Sequence, residues 1–413
     1  MSGFLPLLRR EGSLLAYAAL MTFGSSFGQT FFIALYAADL REALALGHGA
    51  FGSIYSAATV ASAALLLWSG GWMDRLDLRA FSVAVTLALA LACLLLATSS
   101  GPLSLFLAFL CLRHAGQALM SLAGITSVVR YLDRDRGKAS AVTSGGFALA
   151  EALLPPLAVL LLATVGWRQS WLLAALFLAV PVPALILLLL RGQGERHAAW
   201  LARTAAPAAG AGAAPPRHWT RGEMLRDPGL YLFLPALMAQ PLLFTGFLFH
   251  QVALVEEKGW PLPYWASLFT LYAVVATLCK LVAGVAIDRF GAQRLVPFMV
   301  LPLGAALLIV AAVTATWGAV AFMMLLGVST GLYATAASPF YAERYGTRHL
   351  GAIKAVTTAF MVFSTAVTPA LMGAALDRAV TLTQMAWAGA AWVAAAALLA
   401  GLGSARAGTL PGP

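Results

Sequence analysis

Charge is what this sequence has least of. Charged residues fill 10% of its 413 positions, hydrophobic residues fill 61%, and the mean hydropathy is +0.86. Soluble chains carry about 25% charged residues, and a single core of this size would lack the polar surface to stay dissolved. The composition excludes a cytosolic enzyme and a disordered chain. Cysteine is scarce as well. Cys93, Cys111 and Cys279 all fall within apolar stretches, and an odd count at such depth argues against a disulfide framework or a cysteine metal site. No phosphate-binding loop, no His-Glu-x-x-His and no His/Asp cluster occurs, so ATP-driven work and membrane-embedded catalysis lack their residues and no cofactor is called for. A polytopic membrane protein remains.

What is present is apolar and periodic. A spanning helix needs about 20 mostly apolar residues. Twelve such runs lie near 14–36, 50–70, 80–98, 103–128, 139–164, 170–190, 229–251, 264–287, 295–314, 318–341, 352–375 and 385–403. Arg9 and Arg10 precede the first, which is longer than a signal-peptide core of ~7–15 residues and reads as a retained helix. The expected fold is an all-α membrane protein of twelve transmembrane helices in two six-helix halves. The halves are 1–190 and 228–413, joined by a linker over 191–227. Within the linker the stretch from Ala205 to Pro216 has no core-forming side chain and reads as flexible. It is too short and too biased to be the output domain of a sensor.

The net charge of +10 describes orientation rather than a nucleic-acid partner. With the N-terminus inside, only Arg41, Arg168, Lys258 and Arg378 fall in outer loops, and Arg113 and Lys280 lie within helices. The other basic residues flank inner ends, so both termini and the linker are expected in the cytoplasm. Usage rich in Ala, Leu and Arg points to a GC-rich bacterial genome, and hence to a bacterial inner membrane.

The halves repeat. At an offset of 214 residues Gly70 meets Gly284, Asp74 meets Asp288 and Arg75 meets Arg289. Arg130-Tyr131 meets Arg344-Tyr345, Gly137 meets Gly351, Ala141-Val142-Thr143 meets Ala355-Val356-Thr357, and Pro155 meets Pro369. One gap-free offset across two loops and a helix is a parallel internal repeat, a transporter signature that implies a substrate site between the halves near mid-bilayer.

The loop after the second run reads Gly70-Gly-Trp-Met-Asp74-Arg75-Leu-Asp77-Leu-Arg79, and the loop after the eighth reads Gly284-Val-Ala-Ile-Asp288-Arg289-Phe-Gly291-Ala-Gln-Arg294. Both resemble the Gly-x-x-x-Asp-Arg-x-Gly signature of the major facilitator superfamily, the first with Asp77 where the second glycine is usual. Arg136-Gly137-Lys138-Ala139, Gly166-Trp167-Arg168 and Ala342-Glu343-Arg344-Tyr345-Gly346 resemble its monocarboxylate-transporter-like branch. Drug antiporters usually carry Gly-Pro-x-x-Gly-Gly in helix 5, where this chain has Leu153-Leu154-Pro155-Pro156.

Ionisable groups at lipid depth are costly, about 2.5–3.5 kcal/mol each on insertion scales, so they mark candidate sites. Lys280 precedes Asp288 by eight residues, about 12 Å along a helix, on a face with Ala273, Ala276 and Gly284. The resemblance implies an arginine there that binds the substrate carboxylate. A lysine supplies a point charge instead of a fork, and the alternative is a buried pair with Glu151 or a helix-end carbonyl. The branch's helix-8 aspartate is replaced by Ala276. Arg113, near Gly116, Gln117, Ser121 and Gly124, reads either as a second anion contact or as a donor to neighbouring backbone. Glu151 is the one acid well inside a run. It reads either as a proton carrier, since apolar surroundings favour its protonated form, or as a static partner of Arg113. His250, near the outer mouth, is a candidate sensor of external pH or an interfacial residue. Gln29 stands where animal members of the branch carry a lysine. Tyr333, beside Gly331 and ahead of Pro339, is the preferred cavity tyrosine.

The paired loops, with Gly70, Asp74, Arg75, Arg79 and Gly284, Asp288, Arg289, Arg294, read as conformational clamps. The expected function is secondary transport of a small organic anion, a monocarboxylate, coupled to protons. A proton-coupled exporter of drugs or other hydrophobic compounds is the alternative, and a sensor or enzyme a distant third. The expected partners are the anion, protons and membrane lipids, with no nucleic acid, no metal and a monomeric state.

Overall fold

The computed structural model describes residues 4–132, 135–204, 219–346 and 349–407. All regular structure among them is helical. Ten helices are long and apolar enough to cross a membrane, and the pair Pro6–Gly28 and Thr30–Ala43, bent by 46°, forms another span. One of the ten is Gly137–Leu189, 53 residues long. At 1.5 Å per residue it would measure about 80 Å, far beyond a hydrocarbon core of about 30 Å. Gly166, at φ 80° and ψ 171°, interrupts it, in a region of backbone space that favours glycine. The run therefore holds two spans, and the described residues hold twelve in total, as the apolar runs predict.

In chain order the spans are the bent pair, His48–Ser69, Leu78–Ala97, Pro102–Tyr131, the two parts of Gly137–Leu189, Pro228–Phe249, Leu262–Phe290, Ala292–Ala312, Trp317–Tyr345, Ala352–Leu376 and Leu382–Ala405. Their outward faces carry large apolar groups: Leu67 is 82% exposed, Val285 70% and Leu398 72%. Such faces are stable only where the solvent is hydrocarbon. Two compact units emerge, Met1–Leu46 with Ala57–Ala211, and Gly47–Ser56 with Gly212–Pro413.

Lipid offers no hydrophobic drive for helix to meet helix, so small residues that let backbones approach decide the contacts. In the first unit Gly146 of the fifth span lies directly against the Ala19 carbonyl and Thr22 of the first. Beside it the Thr22 hydroxyl donates to the Thr143 carbonyl at 2.6 Å. In the second unit Gly327 and Gly331 of the tenth span, one turn apart, lie against Tyr272 and Ala276 of the eighth.

The segment Gly47–Ser56 is held within the second unit by its helix start. The Asp377 carboxylate accepts from the His48 and Gly49 backbone amides at 2.9 and 2.8 Å, which complements the positive end of the helix His48–Ser69.

The first and seventh spans, mates in the repeat, are irregular at matching places. The first span breaks through the 3₁₀ turn Ser26–Gly28 and an extended Gln29 at φ −86°, ψ 151°. The seventh passes through a π-helical stretch, Gln240–Phe244. At the repeat offset Gln240 falls on Ser26. A break inside a membrane frees backbone groups that must find partners within the protein.

The flanks of the linker are helical, Gln193–Thr204 and Arg221–Arg226, and the stretch from Ala205 to Pro216 lies outside the described residues. Each flank meets the Arg-Tyr pair of its own unit. Tyr131 hydrogen-bonds His197 at 3.2 Å and Arg130 lies 5.4 Å from the Trp200 ring centre. In the second unit the Trp219 amide donates to the Tyr345 carbonyl at 3.0 Å. There Asp227 accepts from Arg344 Nε at 3.0 Å, Arg344 Nη2 at 2.9 Å and the Tyr345 hydroxyl at 2.9 Å.

Candidate functional site

In the first unit Arg113 and Gln117 sit on a π-helical stretch of the fourth span, Leu112–Met120. Such stretches recur at functional sites because they re-aim side chains out of the regular spiral. Arg113 is 3% exposed. Its Nη1 donates to the Gly28 carbonyl at 3.2 Å and to the Thr30 hydroxyl at 3.4 Å, the two residues that flank Gln29. The backbone of Gly28 lies so close to Leu112, Gly116 and Gln117 that a Cβ would have no room. Arg113, Gln117 and Gln29 are thus brought to one place, the break in the first span. The Arg113 guanidinium binds a carbonyl that the break has freed. Glu151 lies half-buried on the fifth span.

The second unit holds Lys280, Tyr333 and His250. Lys280 is half-buried on the eighth span, about 15 Å from the helix end at Phe290. Its backbone amide lies against Gly331 of the tenth span, two residues before the half-buried Tyr333. Among the described residues no hydrogen-bond acceptor or carboxylate engages the Lys280 ammonium. His250 is 4% exposed. Its ring is hydrogen-bonded through Nε2 to the Pro369 carbonyl at 3.1 Å and lies 6.0 Å from the His48 ring.

A polar network in this unit escapes a search guided by charge. Gln240, on the π-helical stretch of the seventh span, donates from Nε2 to the Thr330 hydroxyl at 2.9 Å and accepts from Ser329 at 2.6 Å. The Tyr272 hydroxyl donates to the same Thr330 oxygen at 3.3 Å, and the Phe244 ring lies 6.1 Å from the Tyr272 ring. The network sits at the irregular stretch of the seventh span, as Arg113 sits at the break of the first. The irregular first and seventh spans are therefore each stapled by polar side chains to the span three further on, the fourth and the tenth. The one sequence signal was a glutamine inside an apolar run at the repeat mate of Ser26.

The paired loops differ in how they start the next helix. In the first copy Asp77 caps the third span, accepting from the Arg79 and Ala80 amides at 2.9 and 3.2 Å. Arg79 Nε lies 3.8 Å from the same carboxylate. This is the physical sense of an aspartate where the superfamily signature has glycine. In the second copy Gly291, at φ 81°, has no side chain to cap with. Glu343 reaches across from the tenth span instead and accepts from the Ala292 and Gln293 amides at 2.9 and 3.1 Å. Arg130 ties the first loop to the fourth span, donating to the Met73 carbonyl at 3.1 Å. Arg75, Asp288, Arg289 and Arg294 are exposed at the helix ends, and Gly70 and Gly284 are partly exposed. The side chain of Asp74 lies outside the described residues.

Residues 18–267 match the family described as Major Facilitator Superfamily. The chain belongs to the major facilitator superfamily. It is a multi-pass membrane transporter, not an enzyme. Its fold is similar to that of the nucleoside transporter NupG, with a TM-score of 0.71 and 14% identity over 97% of this chain and 99% of that one. It is also similar to a bacterial homologue of the human lysosomal transporter Spinster, in an inward-facing and unoccupied conformation. There the TM-score is 0.65 and the identity 12%, over 96% of this chain and 94% of that one. Comparison with curated protein sequences finds no significant match.

Proposed function

We propose that this superfamily transporter carries a small organic anion of the monocarboxylate class, with Lys280 as the counter-charge. The observation that carries the reading is a half-buried ammonium in mid-span with no protein acceptor among the described residues. A charge left so is expensive in hydrocarbon, and an anionic substrate is the partner that would relieve it. At 4 Å and an effective dielectric of 20 such a pair is worth about 4 kcal/mol, close to a thousandfold in affinity. Proton symport is the expected mode, with Glu151 as the proton site, in a bacterial cytoplasmic membrane with both termini inside.

The uncharged network of Gln240, Ser329, Thr330 and Tyr272 favours a second reading, a neutral hydroxylated solute such as a nucleoside, the class that NupG transports. Its amide and hydroxyls suit sugar hydroxyls, and Phe244 and Tyr272 offer rings for a base.

Uptake into proteoliposomes separates the two. Labelled short-chain monocarboxylates and labelled uridine are offered under an inward proton gradient to wild type, Lys280→Ala and Lys280→Arg. Carboxylate uptake that Lys280→Ala abolishes and Lys280→Arg keeps in part is expected. No carboxylate uptake in either gradient direction overturns the anion reading, and uridine uptake indifferent to Lys280 replaces it with the second.

A further inference from the structure

The first unit contains a cavity of about 290 Å³ between its first, fifth and sixth spans, and almost nothing in its wall is polar. Its back is an aromatic stack. Phe27 meets Phe32 edge-on at 5.1 Å and Phe177 at 6.0 Å, and Trp171 lies 5.4 Å from Phe32 and 5.2 Å from Tyr36. Rings held against one another cannot swing in to fill the space. Its front is formed by Leu153, Leu157 and Leu173, which are 52%, 46% and 45% exposed on spans surrounded by hydrocarbon. The mouth therefore opens sideways into the bilayer, not toward water.

The cavity also has a direction. Phe23, Leu153 and Phe177 line its deep end, and Tyr36, Leu161 and Ser170 line the end nearer the turn at Gly166, on the face opposite the linker. From Leu153 to Leu161 is about 12 Å of helix, most of one leaflet's share of a core about 30 Å thick. The two lining hydroxyls, Tyr36 and Ser170, sit at the end where a leaflet becomes polar, with the Ser170 hydroxyl donating to the Gly166 carbonyl at 2.7 Å. Two residues before Ser170 stands Arg168, exposed, with its guanidinium 4.2 Å from the Trp167 ring centre, one Nη2 contact to the Ser99 carbonyl at 3.4 Å and no carboxylate beside it among the described residues, which leaves its charge unneutralised. A tryptophan and a cation at a span end are an interfacial anchor, and the cation complements a phosphate.

We propose that this cavity binds one acyl chain of a bilayer phospholipid from the leaflet opposite the linker, with the lipid phosphate at Arg168. The length, the lateral mouth, the apolar wall and the charge at one end agree with a chain and headgroup drawn in that order. The site lies wholly in the first unit and does not depend on which solute is transported.

The test uses the full-length protein in vesicles containing a small fraction of a phospholipid with a diazirine midway along one chain. Photolabelled peptides are mapped by mass spectrometry. Saturable labelling of the segments 23–36, 153–161 and 170–177, while other lipid-facing spans label in proportion to lipid fraction, is expected. Ala174→Phe fills the cavity and should cut that labelling at least fivefold. Ala158→Phe enters from the fifth span and serves if the first variant fails to fold. Arg168→Gln should weaken labelling by an anionic phospholipid and leave labelling by a headgroup-free alkyl diazirine unchanged. Labelling that tracks exposure alone on every span, or survives both cavity-filling variants, overturns the proposal. So does stronger saturation by the alkyl probe than by the phospholipid, which would make the cavity a site for lipophilic solutes.

Discussion

Two adjacent glycines in the fifth span should respond in opposite ways to the same substitution. Gly145 is exposed and a Cβ added there would meet nothing within 4 Å, whereas Gly146 is buried and its Cβ would fall inside the Ala19 carbonyl oxygen and the Thr22 hydroxyl. The carbonyl belongs to helix backbone and cannot step aside unless the first and fifth spans separate. Overpacking of that kind costs about 1–3 kcal/mol. Disturbing the Thr22 hydroxyl's bond to the Thr143 carbonyl adds about 0.5–1.5 kcal/mol. Alanine's better helix propensity returns about 1 kcal/mol at either position. Gly146→Ala should therefore lose about 0.5–3.5 kcal/mol, while Gly145→Ala should gain about 0.4–1 kcal/mol. The separation of roughly 1–4.5 kcal/mol corresponds to about one to five degrees of melting temperature in a chain this long. Intrinsic tryptophan fluorescence on heating the detergent-purified protein measures it, with size-exclusion profiles to confirm a folded start. Equal melting of the two variants, or a Gly146→Ala protein more stable than wild type, would refute the close approach of these two spans.

Three further outcomes follow from named contacts. Glu343→Ala removes the acceptor for the Ala292 and Gln293 amides and should cost about 1 kcal/mol, while Asp77→Gly, which restores the signature glycine, should cost only a few tenths; equal losses in thermal melts would contradict the division of capping between the two loops. Asp227→Asn weakens three hydrogen bonds from Arg344 and Tyr345, about 2 kcal/mol for bonds to a charged group, and should speed amide exchange over 219–226; exchange at the wild-type rate would show that the contact holds nothing in place. Lys258, 7% exposed at the end of the helix Gln251–Lys258, has its pKa lowered by burial, against a smaller upward pull from Glu257. The folded state then binds this proton less readily than the unfolded one, so the destabilisation is fully present below the lowered value and fades as pH rises toward lysine's usual ~10.4. Lys258→Met should melt higher than wild type at pH 7, with a gap that narrows toward pH 10; a gap that widens would reverse the sign of the argument.

Much of the fold was legible because membrane spans are written in composition. A run of about 20 apolar residues has one stable solution in hydrocarbon, and twelve runs give twelve spans. The repeat was legible too, since Gly70-x-x-x-Asp74-Arg75 and Gly284-x-x-x-Asp288-Arg289 sit at one offset. The site was harder. Arg113 and Lys280 stand out because a charge at lipid depth is rare, but rarity does not say what the charge touches. The contact of Arg113 with the Gly28 carbonyl needs a break in the first span, and no proline at that place announces it. Gln240, Ser329 and Thr330 carry no charge, and hydroxyls in helices more often bond their own preceding turn.

The sequence by itself determined the solvent, the number of crossings and the internal repeat, because each depends on residue type and spacing along the chain and on no distant partner. Only the tertiary structure decided which groups satisfy one another. It capped the third span with its own Asp77 and the ninth with Glu343 from a different helix. It also set Arg113 on backbone while Lys280 remains without an acceptor among the described residues. The physical reason is distance along the chain. Partners separated by 51 to 121 residues are chosen by how glycine-faced helices pack, and that packing is a property of surfaces in space that no local pattern encodes.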